Sequence, residues 1–266
     1  MFSSRAILAL MCLIAIAWRV DARYPVVLAA NRDEFHARPT APMHWWQGEP
    51  PLLAGRDLQA GGTWLGALRG GRFAALTNYR DPALQRDDAP SRGLLVPALL
   101  REPAPLAQAL EAAVLAARGA NPYNLLAGEG DSLLYYSSMT GRSQSLGPGL
   151  HLLSNHLLGT PWPKLRRVQA GMPAAVRALP AVQELKSLFT DATLAPDGQL
   201  PRTGVRLELE RMLSAIHIRS PAYGTRCTTV GLCDAGGRWQ WHEWRYGADG
   251  ESAGQGEFGY SPQGPT

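Results

Sequence analysis

Two near-continuously apolar stretches, residues 12–20 (CLIAIAWRV) and 24–30 (YPVVLAA), stand either side of Asp21-Ala22-Arg23. Strands covered on both faces carry this pattern, because no position along them looks into water. The stretches predict a β-hairpin with its turn at 21–23. The polar tetrapeptide Asn31-Arg32-Asp33-Glu34 follows directly, then a Pro-, His- and Trp-rich stretch to Pro51 that reads as a loop. Residues 61–80 (GGTWLGALRGGRFAALTNYR) predict two strands around Gly70-Gly71. Ser91 can cap a helix running toward Arg101. Leu106, Leu110, Ala113 and Ala117 form one apolar stripe on a helix over about 104–118. Strands are expected near 124–128, 132–138 and 150–154. Residues 163–190 read as helix broken around Pro173 and Pro180. An amphipathic helix over 205–216 and two strands, 225–233 and 238–246 about Gly236-Gly237, complete the pattern.

After Gly247 the chain is rich in Gly, Pro, Ser and Gln, the composition of a disordered tail over 248–266. No repeat or linker divides the rest, so 11–247 is expected to be one domain. Strands and helices alternate in blocks rather than one by one, which argues against a doubly wound sheet. Two-sided apolar strands with helices to cover them imply an α+β fold, two packed sheets between helical layers.

Residues 1–22 also imitate a secretion signal, with Arg5, the apolar stretch from Ala6 to Trp18, and Val20-Asp21-Ala22 as a cleavage site. Cleavage there would remove half of the hairpin and leave an open edge. Translation from Met11 instead yields Met-Cys-Leu-Ile, and removal of an initiator Met before a small residue makes Cys12 the first residue. The hairpin is the favoured reading. It makes 1–10 an untranslated or disordered extension and the protein cytoplasmic; a true signal would make it exported.

Composition narrows the function. Of 266 residues 45% are hydrophobic and 18% charged, a globular balance. The net charge of +4 comes from scattered residues, mostly Arg, without a basic block, so nucleic acid is not an expected partner. No later stretch has the roughly 18 consecutive apolar residues of a membrane span. Three cysteines, Cys12, Cys227 and Cys233, cannot build a disulfide framework and lack zinc spacing, and the six His are dispersed. No metal and no cofactor is expected. Gly-x-Ser-x-Gly, the P-loop and a dinucleotide fingerprint are all missing.

Four groups of residues can carry chemistry. An amino-terminal Cys12 would bring nucleophile and base together, its α-amino group taking the thiol proton; as an internal residue it is a small buried hydrophobe. Residues 31–34, set beside Cys12 by the hairpin, can hold that amino group and a substrate, or form a turn with surface ion pairs. Asn78 and Asn155 each end an apolar run and can donate to an oxyanion, or simply form turns. Arg226 enters a β-branched strand, an odd place for a permanent charge without an anion such as a thiolate, Asp33 or a substrate carboxylate.

These pieces together resemble the NRDE-motif family, the family of the transport-and-Golgi-organisation protein two. The matching segments are Met11-Cys12-Leu13-Ile14, LAANRDEF (28–35) with ARPT (37–40), GGTWLG (61–66), AALTNYRD (74–81), SRG (91–93), LLSN (152–155) with TPWPK (160–164), and YGTR (223–226). Departures are the ten residues before Met11, Cys227 in the last motif, and Asn121-Pro122-Tyr123-Asn124 where relatives more often have Gly-Phe before the Asn. The family in turn is distantly similar to amino-terminal-nucleophile hydrolases. That resemblance implies a four-layer αββα sandwich with Cys12 as nucleophile and base, Asp33 positioning it, Asn78 and Asn155 on the oxyanion side, and Arg226 supporting the thiolate. Arg32, Trp64 and Tyr79 are then expected to contact substrate. Spacing leaves open whether Arg32 or Asp33 faces the site.

The enzyme reading is a cysteine amidohydrolase or acyltransferase acting on a small amide or acyl compound. The alternative is a non-catalytic carrier of haem or a lipid-like acyl ligand, with Trp45, Trp46 and nearby Arg side chains as its binding surface. The sequence leaves the oligomeric state open.

Overall fold

The computed structural model describes residues 11–261. The extension expected over 1–10 lies outside the described residues, as do 262–266. In chain order the strands and helices are β1 (Met11–Trp18), β2 (Val26–Phe35), β3 (Thr40–Trp46), β4 (Leu52–Asp57), β5 (Leu65–Leu68), β6 (Phe73–Asn78), α1 (Leu95–Arg101), α2 (Leu106–Ala116), β7 (Tyr123–Glu129), β8 (Ser132–Ser137), β9 (Arg142–Ser145), β10 (Gly149–Leu153), α3 (Pro163–Arg177), α4 (Gln183–Phe189), α5 (Leu207–Leu213), β11 (Tyr223–Cys233), β12 (Trp239–Tyr246) and β13 (Ser252–Tyr260). One sheet has the order β10-β1-β2-β11-β12-β13 and the other runs β3 to β9 in sequence; all the pairings are antiparallel.

Side-chain alternation sorts the apolar residues into three layers. Ile14, Ile16, Leu28 and Ala30 of the first sheet meet Leu53, Ala67, Phe73 and Leu126 of the second, forming the central core. The intervening residues, Leu13, Ala15, Val27 and Ala29, face outward onto Leu165, Val168 and Met172 of α3 and Leu185 of α4. On the far side Leu52, Ala54, Ala74 and Leu125 pack against Val96, Leu99 and Leu100 of α1 and Leu110 of α2. The fold is thus an αββα sandwich. Both faces of β1 and β2 are covered, which is why neither alternates with polar residues. Close approach across β11 and β12 needs Gly231, where a Cβ would run into the Trp241 ring.

Several expectations are corrected. Residues 31–34 do not follow β2; they are its interior, buried like the apolar half. The stretch to Pro51 is not a loop, because β3 crosses it. Trp46 packs in the α1–α2 layer and Trp45 against the Tyr260 ring in the central core. Strands β4 and β9 were not anticipated. Pro173 does not break α3: it lies on the exposed side with Gln169, so the carbonyl left without a donor can turn to water. The break comes near Pro180 as expected. Residues 252–260 are not a disordered tail but edge strand β13. A backbone ladder does not require apolar side chains, and Phe258 and Tyr260 anchor it in the central core. No helix among the described residues is long and apolar enough to cross a membrane.

Candidate active site

The register across β1, β2 and β11 decides what faces what. Cys12 pairs with Arg32, and Arg32 with Cys227 on its other side. Directly paired residues share a face, so these three side chains point between the sheets, in line with Ile14 and Ala30. Asp33 points the other way, toward α3, and pairs with Thr225. Arg32 therefore faces the inter-sheet side with Cys12, and Asp33 lies behind the strand.

A bulge at Arg226 keeps this alternation in step. The extra residue turns its guanidinium onto three backbone carbonyls, those of Phe35 (2.9 Å), His36 (3.3 Å) and Arg38 (3.1 Å). Those carbonyls, not a thiolate or carboxylate, are the hydrogen-bond partners of Arg226, which stiffens the chain leaving β2.

Each member of the tetrapeptide has its own task. Asn31 donates to the carbonyls of Phe189 and Ile216, both at 2.8 Å, and accepts from Thr228 Oγ1 at 2.7 Å. It fastens β2 to the helical layer. Glu34 accepts from the Phe35 amide at 2.8 Å and lies 3.4 Å from Arg32 and 3.5 Å from Arg38. Asp33 accepts from Thr225 Oγ1 at 2.6 Å through Oδ1, while its buried Oδ2 has no hydrogen-bond partner among the described residues.

A cleft of about 490 Å³ opens where the two sheets end, lined among others by Arg32, Glu34, Trp64, Asn78, Cys227 and Glu243. Its rim is stitched where the Thr63 amide donates to the Gly93 carbonyl at 2.9 Å. The loops approach so closely that a Cβ on Gly62 would overlap that carbonyl. Opposite, Arg38 and Asp57 form an ion pair at 2.7 Å. Glu243 takes the Met43 amide at 3.0 Å, spanning from one sheet to a bulge in the other. Cys12 lies behind this wall, 3% exposed.

The two Asn residues divide the labour expected of both. Asn78 lines the cleft, and neither end of its buried amide has a partner among the described residues. Asn155 instead donates to the Asn78 carbonyl at 3.0 Å and accepts from Ser154 Oγ at 3.1 Å. Ser154 Oγ also lies 3.1 Å from the Cys12 carbonyl. Asn155 thus ties the ends of β6 and β10, and so the two sheets, rather than lining the cleft. Tyr79, next to Asn78 on an extended chain, turns away; its hydroxyl is 2.7 Å from His156 Nε2 and does not reach the cleft. Trp64 does line it.

Four site residues were not anticipated. Lys164, the second residue of α3, is 1% exposed with no hydrogen-bond partner for Nζ among the described residues. A Lys at the positive end of a helix dipole was a readable oddity. Arg80 lies near it, paired with Glu210 at 2.8 Å and stacked 4.4 Å from the Trp162 ring centroid. Arg92 donates to the Pro122 carbonyl at 3.0 Å, and burial pushes it down to about 10. Glu243 occupies an inward position of β12 in phase with Trp239 and Trp241, a charge where the strand pattern calls for an apolar residue.

Burial dominates the electrostatics. The Cys12 thiol is pushed up to about 12, by desolvation first and the charge of Asp33 second, with Arg32 pulling it back. As an internal residue it is a thiol, not a thiolate, at neutral pH. Desolvation also raises the Asp33 carboxyl, opposed mainly by Lys164, and lowers Lys164, opposed mainly by Asp33.

Comparison with known proteins shows which family the chain resembles. The family model described as Transport and Golgi organisation 2 matches residues 11–248. The Transport and Golgi organization protein 2 homolog of Bos taurus is 38% identical over 234 residues, 80% of this chain and 84% of that protein. The Homo sapiens homolog is 36% identical over 233 residues with the same coverage. Among solved structures, a Caenorhabditis elegans N-acylethanolamine-hydrolyzing acid amidase ortholog aligns with a TM-score of 0.48 at 10% identity, over 82% of this chain and 92% of that one.

Proposed function

We propose that this chain, which belongs to the Transport and Golgi organisation 2 family, is a cysteine amidohydrolase or acyltransferase whose nucleophile is Cys12 as an amino-terminal residue. The observation that carries this reading is the alignment of Cys12 with Arg32 on the inter-sheet face, at the end where the unpartnered amide of Asn78 lines the cleft.

Chemistry follows from the groups present. A free Cys12 α-amine takes the thiol proton, which the buried thiol would otherwise keep. The thiolate adds to the substrate carbonyl, and the Asn78 amide donates to the oxygen as it becomes negative. Collapse breaks the C–N bond, and the α-ammonium returns its proton to the departing amine. Water then releases the acid, or a second amine takes the acyl group. Asp33, with one free carboxylate oxygen on the helix side of β2, is the acceptor for the α-amine. Arg32 and Trp64 contact the substrate.

The carrier reading remains the alternative. Neither Trp45 nor Trp46 lines the cleft: Trp46 packs in the α1–α2 layer, and Trp45 is half-buried with the Arg69 guanidinium over its ring.

Intact mass and amino-terminal sequencing of the protein from its own host is the first test, with Cys12 expected as residue one. Exposure to an activated acyl ester should then leave an acyl adduct on the Cys12 peptide. A chain with Cys12 internal, or an adduct that persists unchanged in Cys12→Ala, would sink the proposal.

A further inference from the structure

Behind β2, on the side away from the cleft, two buried atoms of opposite charge lack hydrogen-bond partners among the described residues: Asp33 Oδ2 and Lys164 Nζ. Lys164 senses Asp33 most strongly, then Arg80, Cys12 and Glu210. Arg80 and Glu210 form an ion pair at 2.8 Å, and Glu210 also accepts from Thr203, whereas Asp33 and Lys164 have no ion-pair partner within 4 Å among the described residues. They make no ion pair with each other, although an unpaired buried charge is among the costliest features of a fold. A group able to donate to Asp33 would relieve part of that cost.

The register places one such group beside Asp33. Residue 11 pairs with Asp33 and Cys12 with Arg32, so the main-chain nitrogen of Cys12 lies between those two rows. A free amine there can donate to the Asp33 carboxylate. Its lone pair can remain available only if the amine is neutral, and a buried cation nearby disfavours a second positive charge. Arg32, Glu34 and Arg92 add to the field at Cys12 from the cleft side.

We propose that Lys164 is a positioning residue for the Cys12 α-amino group: its buried ammonium holds Asp33 as a carboxylate and keeps the amine in its neutral, proton-accepting form. This rests on the amino-terminal Cys12 reading and assigns the residue that poises its base.

The test is a pH titration of the amine in protein labelled with ¹⁵N-cysteine and beginning at Cys12. Lys164→Met should raise the midpoint by about one pH unit, a tenfold gain in proton affinity, and move the acidic limb of acyl-adduct formation by the same amount. Lys164→Arg, which keeps the cation, should restore the native midpoint. If Lys164→Met fails to fold, Lys164→Gln is read the same way. A midpoint that ignores both neutral variants, while Cys12 still forms the adduct, overturns this proposal alone. A protein whose Cys12 is internal overturns both it and the proposed function.

Discussion

Two polar clusters meet β2 on its helix side, within two residues of each other, and they are built on opposite terms. The Asn31 side chain has its polar atoms met: its amide spans the Phe189 and Ile216 carbonyls and the Thr228 hydroxyl, which also receives the Tyr246 hydroxyl at 3.2 Å. Around Asp33 one carboxylate oxygen and the Lys164 ammonium have no hydrogen-bond partner among the described residues; nor, on the cleft side, has the Asn78 amide. Both regions are buried and both are polar. A satisfied network ties elements together, whereas each unmet buried group costs about 1–3 kcal/mol; the proposed Cys12 amine and substrate would meet two of these.

The largest test of that difference is Cys12→Ala. It should abolish acyl-adduct formation and turnover, by about 10⁴-fold or more, while leaving the urea midpoint near native. An unchanged rate would remove the functional meaning of the unmet cluster.

Next is a matched pair. Asn31→Ala strips three hydrogen bonds and strands two buried carbonyls, so urea unfolding should lose about 3 kcal/mol. Asn78→Ala deletes an amide with no partner, so stability should change by less than about 1 kcal/mol, while turnover falls roughly 10²- to 10³-fold. Equal stability losses would erase the contrast.

Stability against pH sharpens it further. Burial raises the folded-state value of the Asp33 carboxyl, so the folded state binds that proton more tightly than the unfolded chain. Stability is therefore lost as pH rises from the ordinary carboxyl value toward the folded one. Lys164 is the reverse: its folded value is lowered, the unfolded chain binds more protons, and stability rises from that value up to the ordinary lysine value near ~10.4. Asp33→Asn should flatten the acidic decline in a urea–pH series and Lys164→Met the alkaline rise. Unaltered profiles would mean the two groups do not titrate as buried charges.

The smallest effect is expected at Tyr79→Phe. Losing one hydroxyl contact with His156 should cost about 1 kcal/mol and leave turnover unaffected. A fall in kcat/KM would return Tyr79 to the cleft.

Much of this site was legible along the chain. The hairpin follows from two uninterrupted apolar runs, and it alone brings residues 31–34 beside Cys12. Ser91 marks the start of the helical segment toward Arg101, as its side chain accepting from the Gly93 amide bears out, whereas the loop at Gly62 is not readable from a stretch that reads as strand. Roles were harder to read than neighbourhoods. Asn78 and Asn155 look alike as polar residues ending apolar strands, yet one lines the cleft and the other holds it in place. Arg226 looked like a partner for an anion because a bulge, invisible in the residue order, turns it onto carbonyls instead.

What the amino-acid sequence determined by itself is periodicity: two-sided strands, capped helices, the hairpin that carries Cys12, and so the layered architecture. These depend on contacts between near neighbours and on which faces must avoid water. Tertiary structure decided phase and partnership. Whether Arg32 or Asp33 faces the cleft depends on the register of β2 between β1 and β11, and a shift of one residue would exchange them. Whether a buried charge is paired depends on groups as far apart in the chain as Asp33 and Lys164. No local pattern encodes that separation, because it is set by how the helical layer settles on the sheet.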